Sequence, residues 1–136
     1  MRVFLKNAKG KDKVWEILKL HGMLNDAGPM WLGKLWDKNL CKKMYGNALE
    51  NKIFRKNIEL IKFLKIIKEE SKINSVGFND LHDICEKNKI KILSKKENII
   101  ERIKKFNHQA SNTHFKGEGV RSNIPINKLI KILKNK

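Results

Sequence analysis

Two cysteines in 136 residues are too few for a disulfide framework. No apolar run is long enough to span a bilayer. The N-terminus lacks the apolar stretch and small-residue cleavage site of a secretory signal. These absences point to a reducing, cytoplasmic setting and to no membrane partner. With only 2 prolines there is no Pro-rich linker, and neither an internal repeat nor a low-complexity tract stands out. Acidic side chains are scarce: 14 Asp and Glu face 31 Lys and Arg, a net charge of +17. That imbalance favours a polyanionic partner such as nucleic acid. Arginine is scarce as well, confined to Arg2, Arg55, Arg102 and Arg121. The chain is crowded with Lys, Ile and Asn, all read from AT-rich codons, so genome composition accounts for part of the charge.

Recognisable catalytic constellations are missing too. There is no Walker loop, and no Gly-rich turn follows a strand and opens a helix as a dinucleotide or S-adenosylmethionine site requires. No Ser-His-Asp or Cys-His arrangement is suggested. His82 and Cys85 share a helix face, but His108 and His114 complete no common zinc spacing. Asp80 with Asp83, and Glu69 with Glu70, read as helix-surface carboxylates. No cofactor or metal is expected in this chain.

What is present reads as α+β and mainly helical. A strand over Arg2–Lys6 is followed by a helix capped by Asp12, with Val14, Trp15, Ile17, Leu18 and Leu20 on its apolar face. A second strand spans Met30–Trp36, with Gly33 permitting a bulge or a close approach. Asp37 caps a short helix through Leu40, Cys41 and Met44. Trp31 and Trp36 suit a core position or stacking on exposed bases. Asn51–Ser71 is predicted as the longest helix, with a boundary near Gly46–Asn51 separating a small subdomain (1–50) from a second (51–136). Further helices carry Leu81, Ile84 and Cys85; then Ile99, Ile100, Ile103 and Phe106; then Leu129, Ile130, Ile132 and Leu133, capped at Asn127. Ser94 and Glu97 form a capping-box pattern.

Between the last two helices lies Ala110-Ser111-Asn112-Thr113-His114-Phe115-Lys116-Gly117-Glu118-Gly119-Val120-Arg121-Ser122. Its two glycines suit a hairpin turn at positive φ. Ser111, Thr113, His114, Lys116 and Arg121 are donors, and only Ala110, Phe115 and Val120 look like core. The residues alone leave two readings open: a solvated edge hairpin, or a surface for a phosphate backbone. The order helix, helix, helix, hairpin, helix is that of a winged-helix unit, with Ser94–Phe106 as third helix and the hairpin as wing. Lys95, Lys96, Lys104 and Lys105 on the third helix are physical candidates for phosphate contact.

Two stretches together resemble one family. Gly28-Pro29-Met30-Trp31-Leu32-Gly33-Lys34-Leu35-Trp36-Asp37 is similar to the "GPLWLGxLxD" segment of the archaeal and eukaryotic tRNA (guanine-26 N2)-dimethyltransferases. Ala110–Ser122 is similar to their "ASxTHFxGxGxKT" segment, with Arg121-Ser122 in place of Lys-Thr. Asn79–Cys85 and Arg2–Leu5 resemble further segments of the family. The resemblance is to the C-terminal part only. It implies a tRNA-binding role beside a separate catalytic domain, in cis or in trans, that binds S-adenosylmethionine. On it, His114 and Arg121, with neighbouring Ser111 and Thr113, are expected to face tRNA, and Lys116 joins them as a physical candidate. The alternatives are a DNA-binding winged helix and a protein-docking module.

Overall fold

In the computed structural model, residues 9–24, 27–91 and 94–134 are described. The expected strand at Arg2–Lys6 lies outside them. The molecule is mixed α+β, and its contacts divide the chain between Gly33 and Lys34 into two units.

The first unit contains α1 (Lys11–Leu18) and a hairpin of β1 (His21–Leu24) and β2 (Ala27–Trp31). Asp12 lies in the first turn of α1 rather than at its cap, which is Gly10. The hairpin pairs His21 with Trp31 and Gly22 with Met30, and its register shifts before Leu24 pairs with Ala27. Leu32 N–H donates to the Leu20 carbonyl at 2.7 Å, extending the pairing. β1 is a strand that the sequence pattern did not predict. Gly33 has the predicted close approach: a Cβ there would collide with the Trp31 indole. On α1, Val14, Trp15, Ile17 and Leu18 are each between 45% and 56% exposed, so its apolar face is open.

The second unit begins at Lys34. Asp37 caps α2 (Lys38–Glu50) by accepting from the amides of Asn39 and Leu40. This helix runs on through Gly46 and packs along α3, so the boundary expected near Gly46–Asn51 is not where the chain divides. The expected long helix from Asn51 is broken. The Asn51 side chain accepts from the Ile53 and Phe54 amides, a 3-10 turn follows at Phe54–Lys56, and Asn57 then caps α3 (Ile58–Glu70). Asparagine competes for backbone donors in this way, which is why it ends and starts helices.

After α3 the order is β3 (Asn79–Asp80), α4 (Leu81–Lys87), α5 (Lys96–Lys105), β4 (Ala110–Asn112), β5 (Gly119–Ser122) and α6 (Ile126–Lys134). β5 is the central strand, antiparallel to both β3 and β4. Asp80 caps α4, its side chain accepting from the His82 and Asp83 amides. The Ser94–Glu97 capping box does not form: the N-cap of α5 is Lys95, which puts Glu97 at the second helical position, out of register with Ser94. Asn127 lies inside the first turn of α6, whose start is set by the Pro125 carbonyl accepting from the Lys128 and Leu129 amides.

The core of this unit joins Leu81 and Cys85 of α4, Ile99, Ile100 and Ile103 of α5, Ala110 and Val120 of the sheet, and Leu129, Ile132 and Leu133 of α6. Burial of each such large side chain contributes about 1.5–3 kcal/mol. Phe106 is not among them. It is 63% exposed, because α5 ends at Lys105 and Asn107 turns the chain at φ 58°, a common helix terminator.

Candidate functional site

The hairpin motif is organised around a carboxylate that the sequence reading placed on the surface. Glu70 is the last residue of α3 and is fully buried. It continues the apolar stripe of that helix, four residues after Ile66 and seven after Phe63. Its Oε1 accepts from the Thr113 hydroxyl and from Arg121 Nε, both at 2.7 Å. Its Oε2 accepts from the His114 ring at 2.6 Å, with the His114 amide at 3.4 Å. An ionised carboxylate only accepts, so the His114 tautomer carries its proton on Nδ1. Arg121 also donates from Nη1 to the Ser75 carbonyl at 2.6 Å.

Burial alone would push the Glu70 carboxyl up. The hydrogen bonds from His114, Thr113 and Arg121, with the Arg121 charge, outweigh that and hold it below the usual carboxylate range. Charge, ring and hydroxyl thus converge on one group from the two ends of the hairpin loop.

Aromatic rings enclose the cluster. The His114 ring meets Trp36 edge-on at 5.4 Å and Phe63 at 5.9 Å, and lies 4.0 Å from Phe115. Phe115 in turn stacks on Phe78. The loop tip is tied down separately. Lys116 pairs with Asp80, and Lys96 Nζ donates to the Gly117 carbonyl at 2.5 Å. The hydrogen bond from Lys116 lowers the Asp80 pKa, and the same contact raises that of Lys116.

The hairpin glycines work differently from the expectation. Neither Gly117 nor Gly119 adopts positive φ. Gly119 is needed for closeness: a Cβ there would lie 2.5 Å from Thr113 Cγ2 and 2.9 Å from the Phe78 ring.

The expected RNA-facing residues therefore part company. Arg121 is 1% exposed and Thr113 5%, so the reading of both as surface donors is corrected: they face Glu70. Ser111 is buried at 9% and its hydroxyl donates to the Asn112 carbonyl. The His114 side chain is only 17% exposed. Lys116 is exposed but committed to Asp80, and Lys96 to Gly117. Lys95, Lys104 and Lys105 are exposed. Trp36 meets His114 edge-on and Trp31 meets the exposed His21 edge-on, and both indoles are half-buried rather than part of the buried core. Cys41 and Cys85 are buried and unpaired, and burial pushes both thiols up. His82 lies 3.6 Å from Glu118, and among the described residues no cluster of His, Cys, Asp and Glu is placed to hold a metal.

The model of the family "N2,N2-dimethylguanosine tRNA methyltransferase" matches residues 1–134. The chain belongs to this family. It is 38% identical over 105 residues to the tRNA (guanine(26)-N(2)/guanine(27)-N(2))-dimethyltransferase of Aquifex aeolicus, covering 77% of this chain and 25% of that protein. It is 30% identical over 151 residues to the tRNA (guanine(26)-N(2))-dimethyltransferase of Methanocaldococcus jannaschii, covering 98% and 39%. Among solved structures it is similar to Trm1 from Pyrococcus horikoshii in complex with S-adenosyl-L-methionine, with a TM-score of 0.70 and 31% identity over 84% of this chain and 31% of that one. The chain thus spans between a quarter and two-fifths of the length of these curated relatives.

S-Adenosylmethionine does not fit the residues of this N2,N2-dimethylguanosine tRNA methyltransferase family member. β3 runs straight into α4 at Asp80-Leu81 with no glycine between them, and among the described residues no other strand passes directly into a helix. No step of methyl transfer is assigned to them.

Proposed function

We propose that this chain is the tRNA-binding, non-catalytic part of an S-adenosylmethionine-dependent tRNA (guanine-26 N2)-dimethyltransferase, acting with a catalytic domain in cis or in trans in the cytoplasm. Family membership over residues 1–134 carries the reading. The order α3-β3-α4-α5-β4-β5-α6, with β5 between β3 and β4, supports a winged-helix unit for the second half. The open apolar face of α1, with Trp15 56% exposed, suits packing of the first unit on the remainder of a longer relative. Exposed lysines on α3 and α5, among them Lys62, Lys65, Lys95, Lys104 and Lys105, supply the charge that phosphates require.

The test is filter binding of the full chain to an unmodified tRNA transcript across a salt series. Log affinity is expected to fall linearly with log salt, with a slope of about −3 or steeper. An affinity indifferent to salt, or tighter binding to duplex DNA at matched salt, contradicts the reading.

A further inference from the structure

The buried cluster holds His114 by one edge of its ring and leaves the other edge free. Nδ1 gives its proton to Glu70 at 2.6 Å. Nε2, at the opposite edge, makes no hydrogen bond among the described residues. The buried side-chain nitrogens and oxygens left without a partner among those residues are Trp36 Nε1 and Asn112 Oδ1. Nε2 is not one of them, and the side chain is 17% exposed, so this nitrogen opens to the surface.

The geometry sets what such an atom can do. With the proton on Nδ1, Nε2 carries a lone pair and accepts. The Glu70 and Arg121 charges cancel, so a neutral imidazole keeps the cluster uncharged, as a buried site favours. A phosphate diester has no proton to offer this atom; its ligand presents an N–H or an O–H. The surround is flat and apolar. The Phe115 ring lies 4.0 Å from that of His114 and is 62% exposed, Phe63 lies 5.9 Å away and is 45% exposed, and Trp36 meets the imidazole edge-on. Phe115 is held in place: Phe78 stacks behind it, and its amide donates to Thr113 Oγ1. An exposed ring held in this way is a platform on which an unpaired base stacks. The carboxylates of the loop tip are engaged, Asp80 with Lys116, and Glu118 at 3.6 Å from His82. Charge therefore does not lead recognition at this loop.

We propose that His114 and Phe115 form a subsite for one unpaired nucleotide of tRNA, with the base against the Phe115 ring and His114 Nε2 accepting from an N–H of the base or from the ribose 2′-hydroxyl. The proposal rests on the tRNA reading above, which the +17 charge and the family carry, and commits it to one loop. Glu70 is then a positioning residue: it fixes the tautomer and the direction of the His114 ring. That gives the buried carboxylate a use beyond holding the hairpin.

The experiment uses the full chain at pH 8, above the ordinary imidazole value of about 6.5. His114→Asn puts an amide nitrogen near the place of Nδ1, so Glu70 keeps a donor while the outward acceptor is gone. Its binding to an unmodified tRNA transcript is expected to weaken about fivefold, as loss of one hydrogen bond allows, with the salt slope unchanged because no phosphate contact is lost. Phe115→Leu is expected to weaken binding about fivefold or more, as loss of a stacked base does. Phe106→Leu, at a ring 63% exposed beyond the end of α5, is expected to change nothing. Thermal melts verify the folds, and where one variant melts early the other decides. Oligo(C) as a ribo and as a deoxy single strand then locates the donor. A His114→Asn penalty that persists on the deoxy strand places it on the base, and a penalty confined to the ribo strand places it on the 2′-hydroxyl. Full tRNA binding by either folded variant overturns the subsite. A salt slope flattened by about 1 unit in His114→Asn overturns the acceptor, since it marks a cation on a phosphate. In either case a steep wild-type slope leaves the broader reading standing. Loss of wild-type tRNA binding altogether overturns both.

Discussion

Glu70→Ala is expected to destabilise the second unit by about 3–5 kcal/mol, because it strands a buried guanidinium. Arg121 is 1% exposed and its Nε donates to Glu70 at 2.7 Å, so removing the carboxylate leaves a charge with only the Ser75 carbonyl for company. Thr113 and His114 lose their acceptor in the same step. Against a typical domain stability of about 5–15 kcal/mol, this unfolds a large share of molecules on warming. Urea denaturation followed by circular dichroism measures it. The control is Glu69→Ala, one residue earlier, whose half-exposed pair with Lys72 contributes no more than about 1 kcal/mol. Glu70→Gln serves where the alanine variant does not fold: it keeps the shape but not the charge, and should still lose more than Glu69→Ala. Equal losses at the two positions would show that the buried cluster does not hold the hairpin.

Ile103→Ala is expected to cost about 2–5 kcal/mol, and Phe106→Ala less than about 1 kcal/mol. Both lie on the stripe that spacing alone assigns to the core face of α5. Ile103 is fully buried among residues from α4, the sheet and α6, so truncation leaves a void that well-packed neighbours fill only in part. Phe106 is 63% exposed, and its removal takes away little packed surface. Urea melts of the two variants side by side give the comparison. A loss at Phe106 as large as that at Ile103 would mean that α5 continues past Lys105 and packs its last turn inward.

The contrast between these two residues also shows where periodicity stops being informative. Ile99, Ile100 and Ile103 recur at helical spacing and are buried as expected. Phe106 obeys the same spacing, but Asn107 at φ 58° ends the helix beside it. Capping was legible at Asp37, where the side chain takes the Asn39 and Leu40 amides. It was misjudged at Ser94, since a helix starting one residue later removes the geometry on which the motif depends. The order of elements in the second half could be read in advance, but Asn79–Asp80 forms a short strand before α4, too brief to leave an alternation. At the hairpin the donors were identified correctly and their direction was not. Nothing in Thr113, His114 and Arg121 alone says which way they face. The missing clue was Glu70, whose place on the apolar stripe after Phe63 and Ile66 distinguishes it from Glu69. A carboxylate on a core-facing stripe needs donors from elsewhere in the chain, and the hairpin is where they are.

The most direct test of the buried cluster is a carbon-13 NMR titration of the Glu70 side-chain carboxyl in the full chain. Its native pKa is lowered from the ordinary 4.5, so its stabilising contribution is complete above that value and is lost as the pH falls through the lower, native one. The account predicts that the Glu70 carbon keeps the shift of an ionised carboxylate when the pH drops below 4.5, for as long as the unit stays folded. A Glu70 resonance that titrates at 4.5 or above in the folded protein would contradict it.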